Sequence, residues 1–178
     1  DDGFPDGAHN YWKASFVPKL SDTVIDLLVE HGSLMRSPLS AIVVEFYGGA
    51  PDKLHGATIP YPAGYTVLTW REPHGVTGHI IPWNYPLQIF GRSVGGALAA
   101  GNACVVKPAE DACLSLLRLA ELAAGVGFPD GALNIVTGLG REAGAALAAH
   151  RGIDNISFTG SPPTGAAAGA SLKPRLGA

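Results

Sequence analysis

Lys107 and Glu110 stand three positions apart in the stretch KPAE, just past a short apolar run. An acid at the end of a parallel strand is a common way to hold the ribose hydroxyls of a dinucleotide, and a nearby lysine adds a donor. Taken alone, the two are ordinary surface charges; their place in the order of elements makes them a candidate pair. Asn84 is a second candidate. It lies in IIPWNYPLQ, residues 80–88, between Pro82 and Pro86 at the end of another apolar run. An amide held rigidly beside a cleft can bind a ligand or stabilise a developing negative charge. The plainer reading of this stretch is an asparagine that ends a strand in a proline-bounded turn.

Two glycine-bearing stretches follow. GLGREAG, residues 138–144, puts Gly138, Gly140 and Ala143 in the relaxed G-x-G-x-x-A spacing, after an apolar run and before a helix-like one. In dinucleotide folds that spacing permits a tight turn and close backbone approach to a pyrophosphate. It belongs, however, on the first strand of its unit, with an acid about twenty residues further on. Here the next apolar run ends in Phe158-Thr159, without an acid. A cofactor-lining loop and a turn for close helix packing both stay open. FTGSPPTG, residues 158–165, finishes a run at Phe158 and Thr159, turns at Gly160 and offers Ser161 as an N-cap ahead of Pro162 and Pro163. Proline is harmless at the first helical positions. A helix start with a free hydroxyl can receive a pyrophosphate, although the prolines remove amide donors there.

These residues can act together only if the chain brings the ends of its apolar runs to one edge. From Gly75 onward the pattern alternates: strand 76–81, helix 87–100 closed by Gly101, strand 103–107, helix 112–124 closed by Gly125, strand 133–137, helix 142–149 and strand 155–158. Short apolar strands alternating with helices predict an α/β fold, a Rossmann-like parallel sheet with helices on both faces. Crossovers in such a sheet are right-handed, and ligands bind at the carboxyl ends of the strands. All the candidate residues fall at such ends. Upstream the pattern is less regular. Residues 1–10 read as turn or terminus, and 20–29 as a short amphipathic helix with Ser21 as its cap and His31-Gly32 as its stop. Residues 41–47, AIVVEFY, read as a strand, and 50–75 as loop-rich with a strand around 65–72.

Bulk properties narrow the function classes. The chain has 178 residues, 47% hydrophobic, the size of one domain with a real core. A net charge of -3 with scattered Lys and Arg argues against nucleic-acid binding. Two cysteines, Cys104 and Cys113, lie inside apolar runs, and six histidines are dispersed without metal-ligand spacing, so no metal site is expected. No leading signal peptide and no apolar run of bilayer length is evident, so no membrane association and a cytoplasmic setting are expected.

Five blocks, HIIPWNYPLQ, ALAAGNACVVKPAEDA, GFPDGALNIVTG, GREAGAALAAH and ISFTGS, resemble in order and at natural spacing the NAD(P)-binding domain of aldehyde dehydrogenases. The resemblance runs from about residue 46 to Ser161, and more loosely to Pro174. It implies NAD as cofactor, with NADP also compatible, and a small-molecule aldehyde as substrate, oxidised to a carboxylic acid. By position it makes Asn84 an oxyanion-hole amide, and Ile81, Pro82 and Trp83 the lining of the nicotinamide side. It makes Lys107 and Glu110 the adenosine-ribose contacts, Gly140 and Gly144 the loop and helix under the adenine, and Phe158, Gly160 and Ser161 the turn at the pyrophosphate. In that reading Glu110 favours NAD, while Lys107 leaves room for NADP.

The resemblance also implies what should be missing. The nucleophilic cysteine and the general-base glutamate, the latter in an LELGG segment, belong downstream of FTGS, where this chain reads SLKPRLGA. The expectation is a fold incomplete relative to the full family, and a truncated chain that is inactive on its own. The alternative is a non-catalytic dinucleotide-binding remnant or interaction module from a gene fusion, associating as a homo-oligomer or through an exposed sheet edge. Residues 1–48 are expected to be a segment of separate origin and 49–178 the partial NAD(P)-binding domain. YWKAS, LSD, SPLS and GGA, in that order, resemble the C-terminal part of FAD-linked oxidases of the berberine-bridge type.

Overall fold

The computed structural model describes residues 39–171, so the helix expected over 20–29 lies outside the described residues. Four short apolar strands, each stopped by glycine, proline or a polar turn, build the central sheet. They are β3 (Val76–Ile81), β4 (Ala103–Pro108), β5 (Leu133–Ile135) and β6 (Asn155–Phe158). All their pairings are parallel, in the spatial order β5-β4-β3-β6. The register sets Thr77 opposite Cys104, His79 opposite Val106, and Ile80 opposite both Lys107 and Phe158. Side chains alternate across a strand, so Thr77, His79, Ile81, Cys104 and Val106 share one face. Gly78, Ile80, Val105, Lys107, Ile156 and Phe158 share the other.

The first face carries the main core. Helix α1 (Leu39–Gly48), helix α2 (86–99) and helix α3 (Leu114–Gly125) bring Val44, Phe90, Val94, Leu98, Leu116 and Leu119 against Ile81, Cys104 and Val106. Each large apolar side chain buried this way contributes about 1.5–3 kcal/mol. The second face is covered by helix α4 (140–149), whose Leu147 packs over Gly78 with Ile153 and Ile156. A Cβ on Gly78 would stand 2.5 Å from Ile156 Cδ1, so glycine is what lets β6 and α4 close onto β3. Helix α5 (Pro162–Ser171) packs against α4.

The chain moves outward from β3 to β4 to β5, then returns to lay β6 on the other side of β3. Right-handed crossovers place the helices on opposite faces when the direction reverses. A crevice opens at the carboxyl ends where the order switches. Here it falls between β3 and β6. The α/β expectation is met, including the parallel sheet and helices on both faces.

Three local expectations are corrected. Residues 41–47 are helix, not strand. Their β-formers count for less than packing: Val44 and Gly48, one helical turn apart, face inward, and the Tyr47 ring lies over Gly95 and Gly96 of α2. Strand β2 keeps only Val67–Thr69 of the 65–72 run, and it pairs antiparallel with β1 (Ala57–Ile59), which lay in a stretch read as loop. Helices α2 and α4 each contain a π-helical stretch, Gly91–Gly95 and Gly140–Gly144, that hydrophobic spacing does not reveal.

Candidate functional site

Strand β4 ends by turning Lys107 onto the second face of the sheet, where its side chain is 3% exposed. An ammonium in that position needs a partner. It has one: Lys107 Nζ donates to Glu110 Oε2 at 2.9 Å, and Glu110, in the short turn before α3, stays half exposed. The backbone N–H of Glu110 itself, then the Lys107 ammonium, and also the Gly140 N–H hold the Glu110 carboxyl below its ordinary range. The carboxylate is therefore charged at neutral pH and tied to two elements at once.

The Gly140 contact joins this pair to the start of α4. Gly138 has φ +143, a backbone conformation that side-chain-bearing residues rarely adopt, and it turns the chain out of β5 into the π-helical stretch. Gly144 is buried, and a Cβ there would lie 4.0 Å from both Lys107 Cδ and Ile80 Cδ1. The lysine stem thus runs beneath α4. Lys107, Glu110, Gly140 and Gly144 form one cluster.

The end of β6 is next along the crevice, where the Thr159 N–H donates to the Ile80 carbonyl at 3.1 Å. The Phe158 ring covers Gly160 and Gly165; a Cβ on Gly160 would stand 2.6 Å from Phe158 Cζ. Ser161 precedes α5, and its carbonyl accepts from the Gly165 N–H at 2.9 Å. The Ser161 hydroxyl pairs at 2.8 Å with the hydroxyl of Thr164. Thr164 was not singled out from sequence; the S-x-x-T spacing over the first helical turn is the signal that could have found it.

At the end of β3 the four residues separate by depth. Ile81 is 2% exposed, its side chain belongs to the core, and its carbonyl accepts from the Ala109 N–H at 2.8 Å. Pro82 is half-buried, Trp83 is 68% exposed and Asn84 is exposed. Pro86 opens α2, so Asn84 is fixed between a strand end and a helix start. Its amide makes no hydrogen bond with another described residue, and stays available to a ligand.

The Cys104 thiol is not set up as a nucleophile. Cys104 is fully buried in β4, and burial pushes its thiol up to about 11, so it is protonated at neutral pH. Its nearest polar contact is Thr77 Oγ1 at 3.4 Å. Among the described residues no group of His, Cys, Asp and Glu could hold a metal ion.

The sequence matches the aldehyde dehydrogenase family over residues 33–176, which includes every residue of the crevice. The chain belongs to the aldehyde dehydrogenase family. It is 58% identical over 122 residues to hydroxyisobutyraldehyde dehydrogenase of Mycolicibacterium austroafricanum, covering 68% of this chain and 24% of that one. It is 48% identical over 142 residues to a mitochondrial family 2 aldehyde dehydrogenase of Arabidopsis thaliana, covering 77% of this chain and 26% of the other. The solved NAD+ complex of an aldehyde dehydrogenase from Bacillus cereus superposes with a TM-score of 0.89 at 35% identity, over 96% of this chain and 38% of the other. The chain thus spans about a quarter to two fifths of the length of these aldehyde dehydrogenases.

Proposed function

We propose that this chain is the cofactor-binding part of an NAD(P)-dependent aldehyde dehydrogenase, acting in the oxidation of an aldehyde to a carboxylic acid. The observation that carries the reading is the Lys107–Glu110–Gly140 cluster at the carboxyl edge of the sheet, beside the point where the strand order switches. A charged carboxylate held from behind by a buried ammonium suits the two hydroxyls of an adenosine ribose, which donate to it. The same carboxylate would face the 2′-phosphate of NADP with like charge, and the Lys107 ammonium is already engaged. NAD is therefore the preferred cofactor and NADP the weaker one.

Each residue of the crevice has a part. Glu110 accepts from the ribose, Gly140 and Gly144 form the floor under the adenine, and Ser161 meets the pyrophosphate. Pro82 and Trp83 flank the nicotinamide, which when bound accepts the hydride from the aldehyde carbon. Ile81 contributes through its backbone and by anchoring the strand end. Asn84 donates its side-chain N–H to the aldehyde oxygen as a thiol adds to the carbonyl and negative charge gathers there. That thiol and the base that activates water are assigned to no residue of this chain, so the chain alone turns over no aldehyde.

The test is thermal. NAD in large excess raises the melting temperature by mass action, by about 2.7 kcal/mol of stability at a hundred times Kd. Glu110→Gln shrinks the shift, whereas Asn84→Ala leaves it intact because the amide serves the aldehyde. Absence of any shift with the unaltered chain would sink cofactor binding. Aldehyde-dependent NADH formation by the pure chain would overturn the statement that it lacks turnover.

A further inference from the structure

The start of α5 lies at the carboxyl end of β6, on the rim where the dinucleotide reading puts the pyrophosphate. The first N–H groups of a helix lack partners within the helix, and they are what an anion ordinarily meets there. In α5 the first two positions are Pro162 and Pro163, which have no N–H to give. Gly165 N–H already bonds to the Ser161 carbonyl. The Ser161 and Thr164 hydroxyls are turned to each other at 2.8 Å, so one of their two protons is spent within the pair. Lys107, the cation of the adenosine end, is committed to Glu110 at 2.9 Å. The adenosine end, by contrast, is fully built: a charged carboxylate, a buried ammonium behind it and a close-packed glycine floor.

Resting on the cofactor reading above, we infer that Pro162 and Pro163 are specificity-determining residues that take the first two phosphate donors from α5 and shift recognition to the adenosine end. The chain accordingly holds adenosine nearly as well as it holds the whole dinucleotide. It discriminates among nucleotides by base and ribose, and little by the number of phosphates. Salt dependence is correspondingly shallow, because Lys107, the cation of the cluster, is already engaged by Glu110.

Calorimetric titration of the full chain with adenosine, ADP-ribose and NAD reads this directly. The expected result is dissociation constants for the three ligands within about fivefold of one another, since each charge-assisted hydrogen bond lost is worth roughly a factor of ten. The double variant Pro162→Ala, Pro163→Ala restores two N–H groups. It is expected to bind ADP-ribose and NAD about ten- to a hundredfold tighter, roughly a factor of ten for each restored N–H that reaches a phosphate, while adenosine affinity stays put. Unchanged adenosine binding also reports that the variant is folded. The inference is overturned if the unaltered chain binds NAD a hundredfold or more tighter than adenosine, or if the variant gains nothing for the phosphate-bearing ligands. If neither adenosine nor NAD binds, the cofactor reading falls and this inference falls with it. Adenosine binding without a phosphate gain in the variant removes the inference alone.

Discussion

A lysine whose side chain is 3% exposed would be a large liability without its carboxylate 2.9 Å away. The asymmetry between breaking the pair and replacing the charge is testable. Glu110→Ala leaves the ammonium buried and unpartnered and should lower the urea midpoint clearly. Lys107→Met keeps a stem to pack beside Gly144 and Ile80, and should melt no lower than the unaltered chain while losing most of its NAD-dependent stabilisation. His79 poses the opposite problem, since it is 2% exposed with no ion-pair partner among the described residues. Thr77 donates to the Ala103 carbonyl at 3.1 Å, so its oxygen accepts from His79 Nε2 at 2.9 Å and Nδ1 is left without a partner among the described residues. Burial holds the imidazole at about 4 instead of 6.5. A depressed folded value means that His79 lends stability above pH 6.5, which is lost as pH falls through 6.5 toward 4, where the unfolded chain binds the proton first. The loss should reach about 3 kcal/mol by pH 4. His79→Gln should flatten the stability profile between pH 6.5 and 4 in urea titrations, and an unchanged slope would contradict the assignment. From sequence the Lys107–Glu110 pair was legible because both charges fall at a strand end. The burial of the lysine was not, because it depends on α4 arriving from residues 140–149. The polar cluster of Thr77, His79 and Cys104 went unnoticed for a similar reason: its members meet only once β3 and β4 are in register.

At the scale of elements, the strand–helix alternation from Gly75 onward was readable because each strand is apolar, short and closed by a turn residue. Strand β6 falls at 155–158, the range read from sequence. Helix α1 was not readable in the same way. AIVVEFY carries β-branched and aromatic residues that fit either period, and only the small surface made by Gly95 and Gly96 under Tyr47 shows why helix wins. The π-helical stretch over Gly140–Gly144 was hidden too, yet it sets the Gly140 N–H toward Glu110. Close approach between elements also explains Gly78. A methyl there would meet Ile156 Cδ1 at 2.5 Å, with Ile153 and Leu147 each at 3.3 Å. These are side-chain atoms that can shift, so Gly78→Ala should fold but cost about 1–3 kcal/mol. Because the strain presses β6 and α4 away from β3, hydrogen exchange should speed up in Asn155–Phe158 and in 145–149 before the rest of the sheet. Uniform acceleration across all four strands would show instead that the sheet responds as one unit.

For the whole molecule, the question is what the exposed apolar surface is for. The β1–β2 hairpin pairs Ala57–Ile59 with Val67–Thr69, and among these six residues only Val67 is even partly buried. Around it Leu54, Ile59, Tyr61, Tyr65, Leu68 and Trp70 are 41–73% exposed. A lone two-stranded ribbon is marginal in water, and its unpaired edges together with clustered apolar side chains seek a partner. Among the described residues β6 pairs only with β3 and β5 only with β4, so the two outer edges of the central sheet are open as well. Sequence could mark the strands but not these edges, because alternation alone does not say on which side of β3 the last strand returns. We therefore expect the isolated 178-residue chain to self-associate, with a weight-average mass by sedimentation equilibrium that rises with concentration above the monomer value. Substituting Leu68→Lys together with Trp70→Lys puts charge on the ribbon without touching the main core or the crevice. That variant should move toward the monomer while keeping its melting temperature and its response to NAD. If it associates as strongly as the unaltered chain, the ribbon is not the contact, and the open edge of β6 becomes the surface to block next. A chain that stays monomeric at every concentration would mean that none of these edges binds a second copy.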